Sequence, residues 1–319
     1  MLFRSAVHIS AVGITDAQTD FANWRRVTES VFAARTILRP GLVLADTSYG
    51  GSSLLRAMAA LPWVTPVVGR GDQPFNPIHA SDLAAVVLDC LKTPPPPGPW
   101  DIGGPETMTQ TALIARLRGW LGLRPTRLLR LPLPLAHALG RIGDALSLGP
   151  ISATAVAQLN AGVLADAAPL LAHIPRRPRA VSAFVNSRPA GTQDLWQARL
   201  YLLKPLIRLT LAAMWLASAA LGLFTPARNF LPLVPTLPDA LALTLARGGG
   251  LLDAALGLAL LANWRPLPIA MAQLALVACY TIALTALAPT LWLDPFGGLM
   301  KNLPILALIL THLALSEER

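Results

Sequence analysis

The chain has 319 residues, 54% of them hydrophobic and 13% charged, about half the charged share of an ordinary soluble protein. Its 26 Lys and Arg against 17 Asp and Glu leave a net charge of +9, and with only two cysteines, Cys90 and Cys279, a disulfide framework is excluded. The apolar excess is concentrated in the last third, so composition predicts two parts, one in water and one in lipid.

The front part opens with a β-prone run, residues 6–10 (AVHIS), then a Gly-containing loop and a helical period over 21–34. Residues 36–38 precede Arg39-Pro40-Gly41 and read as a second strand, so the order is strand, helix, strand, which points to a parallel α/β sheet. A helix is expected over 52–60 and another over 82–91, begun by a Ser81 or Asp82 cap, with the proline-rich 93–99 tract a loop. No basic, apolar and small-residue succession marks a signal peptide, so the front part is expected in the cytoplasm.

Positive charge gathers at Arg124, Arg127 and Arg130 and at Arg176, Arg177 and Arg179. No aromatic residues interleave with these clusters, and neither a reading helix nor a zinc spacing accompanies them. Nucleic acid is therefore not an expected partner, and an anionic lipid surface or a solvated face accounts for them.

Four later segments, 206–224, 240–261, 267–293 and 299–315, are long and apolar enough to be read as membrane helices. The third carries no Asp, Glu, Lys or Arg, whereas Arg208 near the start of the first and Lys301 near the start of the fourth can snorkel. The second holds Arg247 and Asp253 around Gly248, Gly249 and Gly250. Charges at membrane depth cost about 2.5–3.5 kcal/mol each, so both should turn inward and find partners. Six positions apart they share no helix face, which leaves Asp253 with Lys301 as the expected pair and Arg247 near an interface. The cluster reads either as a structural ion pair or as a ligand or quinone-type site. Arg199, Lys204, Arg208 and Arg265 place both termini in the cytoplasm by the positive-inside rule, in a multi-pass inner (plasma) membrane protein.

The stretches VHISAVG, FANWRR, TILRPGLVLAD and QPFNPIHASDLAAVVLDC resemble successive pieces of the later half of an atypical or extended short-chain dehydrogenase/reductase domain, over about residues 4–105. Residues 109–189 are similar to that family's substrate-side extension, and GGGLLDAALGLALL with LDPFGGLMKNLPIL resembles a DoxX-like domain. The whole chain resembles bacterial fusions of the two. The implied fold class is an α/β partial Rossmann-like domain (1–108), a helical extension and linker (109–200), then an all-α four-helix transmembrane bundle (201–319).

The resemblance implies a serine at Ser10, but puts Phe21 where the family has its proton-donating Tyr and Arg25 where it has Lys. Phenylalanine has no proton to give, and Arg is geometrically unlike Lys. Pro40 and Gly41 match the turn beside the nicotinamide, with loop shaping as the plainer role. The family's opening strands and Gly-rich phosphate turn have no counterpart here, and the GxG at Gly69 and Gly71 follows no strand-to-helix passage. NAD(P) is thus implied by family resemblance, while binding by this chain alone is not expected. His79 and Asp82 read as capping or hydrogen-bonding residues rather than metal ligands, and no motif surrounds His8 or His137.

Two functions follow. One is a membrane-anchored NAD(P)-linked oxidoreductase, incomplete as the chain stands, serving a quinone or lipid-like substrate and needing a completing polypeptide. The other is a noncatalytic interaction or assembly module on a membrane anchor.

Overall fold

The computed structural model describes residues 6–15, 17–149, 151–295 and 297–316. Arg4, at the start of the dehydrogenase-like stretch, and Phe296, within the DoxX-like LDPFGG, lie outside them. The chain divides into two compact units, Met1–Tyr201 and Leu202–Arg319.

The N-terminal unit runs β1 (Val7–Ile9), α1 (Asp20–Val31), β2 (Thr36–Pro40), β3 (Val43–Leu44), α2 (Gly51–Ala60), β4 (Val64–Val68), β5 (Pro74–Phe75), β6 (Ile78–His79), α3 (Ala80–Lys92), β7 (Gly98–Ile102), β8 (Met108–Thr109), α4 (Gln110–Trp120) and β9 (Arg127–Leu131). Four helices follow: α5 (Leu133–Ala145), α6 (Ala153–Ala161), α7 (Ala168–Leu171) and α8 (Val181–Val185). The main sheet has order β1-β2-β7, all parallel, with Val7 opposite Thr36 and Thr36 opposite Gly98. β3–β6 and β4–β9 are further parallel pairs, and β5–β8 is antiparallel. Within the described residues β1 pairs with β2 alone, so its other edge carries unpaired main-chain groups.

Local chemistry accounts for these elements. Thr19 caps α1, its Oγ1 accepting from Ala22 N at 3.2 Å, and Asp20 stands in the positively polarised first turn. On α3 the cap is His79, whose Nδ1 accepts from Ser81 N at 3.3 Å, and not Ser81 or Asp82, because Asp82 is bonded to Arg179 instead. The expected 93–99 loop gives way to β7 at Gly98, where a φ of 134° turns the chain and N–H donates to Arg35 O at 3.0 Å.

Two hydrophobic cores form in this unit. Leu38, Ile78, Val86, Cys90, Ile102 and Leu170 make one, and Leu55, Val67, Phe75, Leu113 and Ile114 belong to the other.

The C-terminal unit is all helix. Its long elements are α9 (Thr192–Phe224), α11 (Asp239–Leu261), α12 (Pro266–Leu287) and α13 (Asn302–Ser316), with the short α10 (Ala227–Phe230) after α9. Four helices are long and apolar enough to cross a membrane, the last counted from Leu299. The third span, expected to reach residue 293, ends at Leu287 because Ala288 precedes Pro289 and leaves helical geometry at φ −145°. The bundle buries Leu211, Trp215, Leu256, Ala270, Val277 and Ile309, while Leu251, Leu258, Met271, Ile282 and Leu310 face outward. Apolar surface outside and polar residues inside is the pattern lipid requires.

Candidate functional site

The residues that the resemblance singles out converge at the C-terminal end of β1. Ser10 is buried there, its N–H donating to Leu38 O at 2.7 Å. α1 brings Arg25 to the same place, where Nη1 donates to Ile9 O at 2.9 Å and the guanidinium lies 5.2 Å from the Phe21 ring centre. Pro40 and Gly41 close β2 beside them, Pro40 O accepting from Val12 N and Gly41 N donating to Ile102 O at 2.9 Å. Gly41 has no positive φ, and an added Cβ would meet only ordinary contacts.

Behind this strand end Glu29 and Arg39 form a forked pair, Nε to Oε1 at 2.8 Å and Nη2 to Oε2 at 2.5 Å. Burial acts to raise the Glu29 carboxyl, yet the hydrogen bonds and charge of Arg39, with the nearby Ser10 hydroxyl and His8, hold it below the usual carboxylate range. Ser10 Oγ itself is buried and has no hydrogen-bond partner among the described residues.

The turn at Gly69 and Gly71 does not fit a dinucleotide pyrophosphate. Gly69 and Gly71 take φ of 60° and 77° in the turn after β4, but their N–H groups donate to Leu131 O and Val68 O. The turn leads to β5 and not to a helix, so neither free amides nor a helix N-terminus meets an anion there. Arg25 is committed to a main-chain carbonyl and an aromatic face.

A separate small cleft is lined by Asp46, Arg56, His79, Trp120, Phe184 and Arg188, among others. Arg56 and Arg188 lie 4.8 Å and 5.4 Å from the Trp120 ring centre, and Arg188 grips Asp194 through bonds of 3.0 and 2.8 Å. Arg56 donates to the main-chain carbonyls of Ala45, Asp46 and Thr47. Burial pushes its guanidinium below the ordinary range, with Asp194 opposing and Arg188 adding to the shift. The two cations are largely engaged internally, which makes the cleft a stitch between distant segments. Its members span positions 44 to 188 with no shared local spacing, so sequence reasoning missed it; the one signal was Arg56 inside the apolar LLRAMAA of α2.

His79 caps α3, while Ser81 and Asp82 hold Arg179. Arg179 Nε bonds both Asp82 oxygens at 2.9 and 3.1 Å, and its Nη2 reaches Ser81 Oγ at 2.8 Å. No group of three or more metal-ligating side chains occurs among the described residues.

Inside the helical unit Asp253 is buried, but the expected pair with Lys301 is not formed. Ser218 Oγ donates to Asp253 Oδ2 at 2.6 Å and Tyr280 OH donates to Oδ1 at 3.0 Å, while Lys301 is exposed. A carboxylate needs donors rather than a cation, and two hydroxyls on facing helices supply them. Arg247 lies at the end of α9, as an interfacial residue would, donating to Gly222 O at 2.7 Å and Thr225 O at 2.9 Å. A cation there meets the negative end of the helix dipole. Arg208 is buried rather than snorkelled, and Gln273 and His312 join it as buried polar residues. Gln273 Oε1 accepts from Trp215 Nε1 at 2.9 Å.

Residues 212–310 match the model of the DoxX-like family. No curated protein matches the chain. Among solved structures, a dTDP-glucose 4,6-dehydratase from Bacillus anthracis in complex with NAD aligns at 14% identity and a TM-score of 0.34, over 40% of this chain and 49% of that one. A UDP-glucuronic acid 4-epimerase from Bacillus cereus in complex with NAD aligns at 16% identity and TM-score 0.34, over 39% and 49%. Pal from Bacillus thuringiensis aligns at 10% identity and TM-score 0.40, over 62% of each chain. The chain thus spans about half the length of the first two.

Proposed function

We propose that this chain is the membrane-anchored part of an NAD(P)-linked oxidoreductase of the short-chain dehydrogenase type, working beside a quinone or lipid-like substrate of the bilayer. The observation that carries this reading is the convergence of Ser10, Phe21 and Arg25 at the end of a parallel β1–β2 pair whose outer edge is open. Parallel strands supplied by a completing polypeptide would pair at that edge and bring the dinucleotide-binding turn with them. Asp253, with its two hydroxyl donors, is one of the buried polar groups of the helical unit beside which such a substrate would bind. The division into a Rossmann-like part (1–108), an extension (109–200) and a membrane domain (201–319), with both termini on the cytoplasmic side of the inner membrane, belongs to the same proposal.

A second reading is favoured by one contact. Arg25 is spent on Ile9 O and Phe21 carries no proton, so the positions that move protons in the family are structural here. On that reading the N-terminal unit is a noncatalytic assembly module, and the β1 edge is its docking strand.

The deciding experiment is NADPH titration, followed by nicotinamide fluorescence, of the full chain isolated in nanodiscs from its native membrane together with any polypeptide that copurifies with it. Saturable enhancement in such an assembly, lost when the copurifying polypeptide is removed, supports the oxidoreductase. Its absence in an assembly with cooperative unfolding, or isolation of the chain with no companion, overturns that reading and leaves the assembly module.

A further inference from the structure

Helix α5 is built inside out for a soluble protein. A surface helix normally turns its apolar stripe to the core and its polar face to water. Here the inward face is Ala136, Gly140 and Gly143, all buried. A Cβ on Gly140 would lie 2.9 Å from Ala153 Cα and N, and one on Gly143 would run into the Ile151 carbonyl. The large apolar residues therefore have no room on that side. Leu135, Leu139 and Ile142, at helical spacing, point outward and are 48%, 42% and 51% exposed.

Arginines accompany the stripe. Arg141 is exposed on α5, and Arg127 and Arg130 are exposed on β9, which enters the helix through Pro132. The acid in this stretch is Asp144, and its Oδ2 accepts from Ala153 N at 3.0 Å. An outward apolar stripe flanked by guanidinium groups is the make-up of a helix that lies in the plane of a bilayer interface. Exposed apolar patches of this kind mark interaction surfaces rather than ordinary solvent faces.

We infer that α5, with the arginines of β9, rests on the surface of an anionic membrane, its Leu and Ile side chains among the acyl chains and its arginines at lipid phosphates. The occupant is lipid because of charge complementarity, and because the same chain carries four membrane-competent helices that hold a bilayer close at high effective concentration. The inference rests on the bilayer embedding of the C-terminal unit and not on the redox reading. Each arginine at an anionic surface is worth about fivefold in partition, so three together amount to about a hundredfold.

The test uses the full chain in nanodiscs, with Cys279→Ala to remove the exposed thiol and Leu139→Cys carrying an environment-sensitive NBD fluorophore. Cys90 is fully buried and does not compete for label. In discs containing phosphatidylglycerol the emission should shift to the blue and be quenched by a spin label placed high on the acyl chain. Quenching should weaken in pure phosphatidylcholine and at high salt, and disappear in Arg127→Glu/Arg130→Glu/Arg141→Glu. Absence of quenching in anionic discs overturns the inference without any arginine variant. A blue shift without spin-label quenching also overturns it, since the face is then covered by protein, from this chain or a second copy. Either failure leaves the NADPH titration untouched, so the two proposals fall separately.

Discussion

Three adjacent glycines on α11 should answer differently to the same substitution. Gly→Ala inside a helix gains up to ~1 kcal/mol in backbone propensity, and overpacking a filled contact costs ~1–3 kcal/mol. A Cβ on Gly248 meets nothing within 4 Å, so Gly248→Ala should stabilise by about 0.5–1 kcal/mol. On Gly250 it would lie 3.0 Å from Leu223 Cγ, 3.1 Å from Leu223 N and 3.2 Å from Ala219 O. Two of those atoms are main chain of α9 and cannot step aside, so α9 and α11 must part, at a net cost of about 1–2 kcal/mol. On Gly249 the methyl would lie 2.8 Å from Tyr280 OH, which can swing away only by giving up its 3.0 Å bond to Asp253. A hydrogen bond inside a membrane protein is worth about 0.6 kcal/mol on average, so Gly249→Ala should be near neutral while leaving Asp253 with one fewer donor. The assay is equilibrium unfolding in mixed micelles titrated with dodecyl sulfate, followed by far-ultraviolet circular dichroism. If Gly248→Ala costs as much as Gly250→Ala, the packing argument for α9 against α11 is wrong.

A double-mutant cycle of Tyr280→Phe with Asp253→Asn should give a coupling of about 0.6–2 kcal/mol, and additive effects would refute their bond; Asp253→Asn leaving membrane-linked turnover intact would remove the bundle from the redox proposal. Because the Glu29 carboxyl is held below its unfolded value of 4.5, its contribution is present above about pH 4.5 and lost as pH falls through the lower folded value. Glu29→Gln should accordingly lower the melting temperature at pH 7 and flatten its fall in acid, and an unchanged acid limb would contradict the pairing with Arg39. Burial first, and Asp89 second, push the Cys90 thiol up to about 11, so maleimide at pH 8 should label it only after unfolding.

Much of the architecture was legible in the chain because it follows from local repetition. The apolar runs predicted four membrane helices, and AVHIS, the 21–34 period and TILRP predicted the strand, helix and strand that became β1, α1 and β2. The end of α12 was misjudged because hydropathy continues through Trp292 while Pro289 has already stopped the helix. β4 and β9 went unread because Arg127–Leu131 shows neither burial nor alternation, and only pairing across about sixty residues makes it a strand.

Composition by itself determined that part of this protein belongs in lipid, and residue identity determined that position 21 cannot donate a proton. Both are properties of side chains that no fold can change. Partner choice was decided only in three dimensions. Asp253 took two hydroxyls in place of Lys301, Arg25 took a strand carbonyl, and α5 turned its leucines outward because its glycines pack too closely to leave them space. Charge and spacing limit which groups can meet along one helix, whereas hydrogen bonds form between those that packing brings within about 3 Å, and that distance is set by the whole fold.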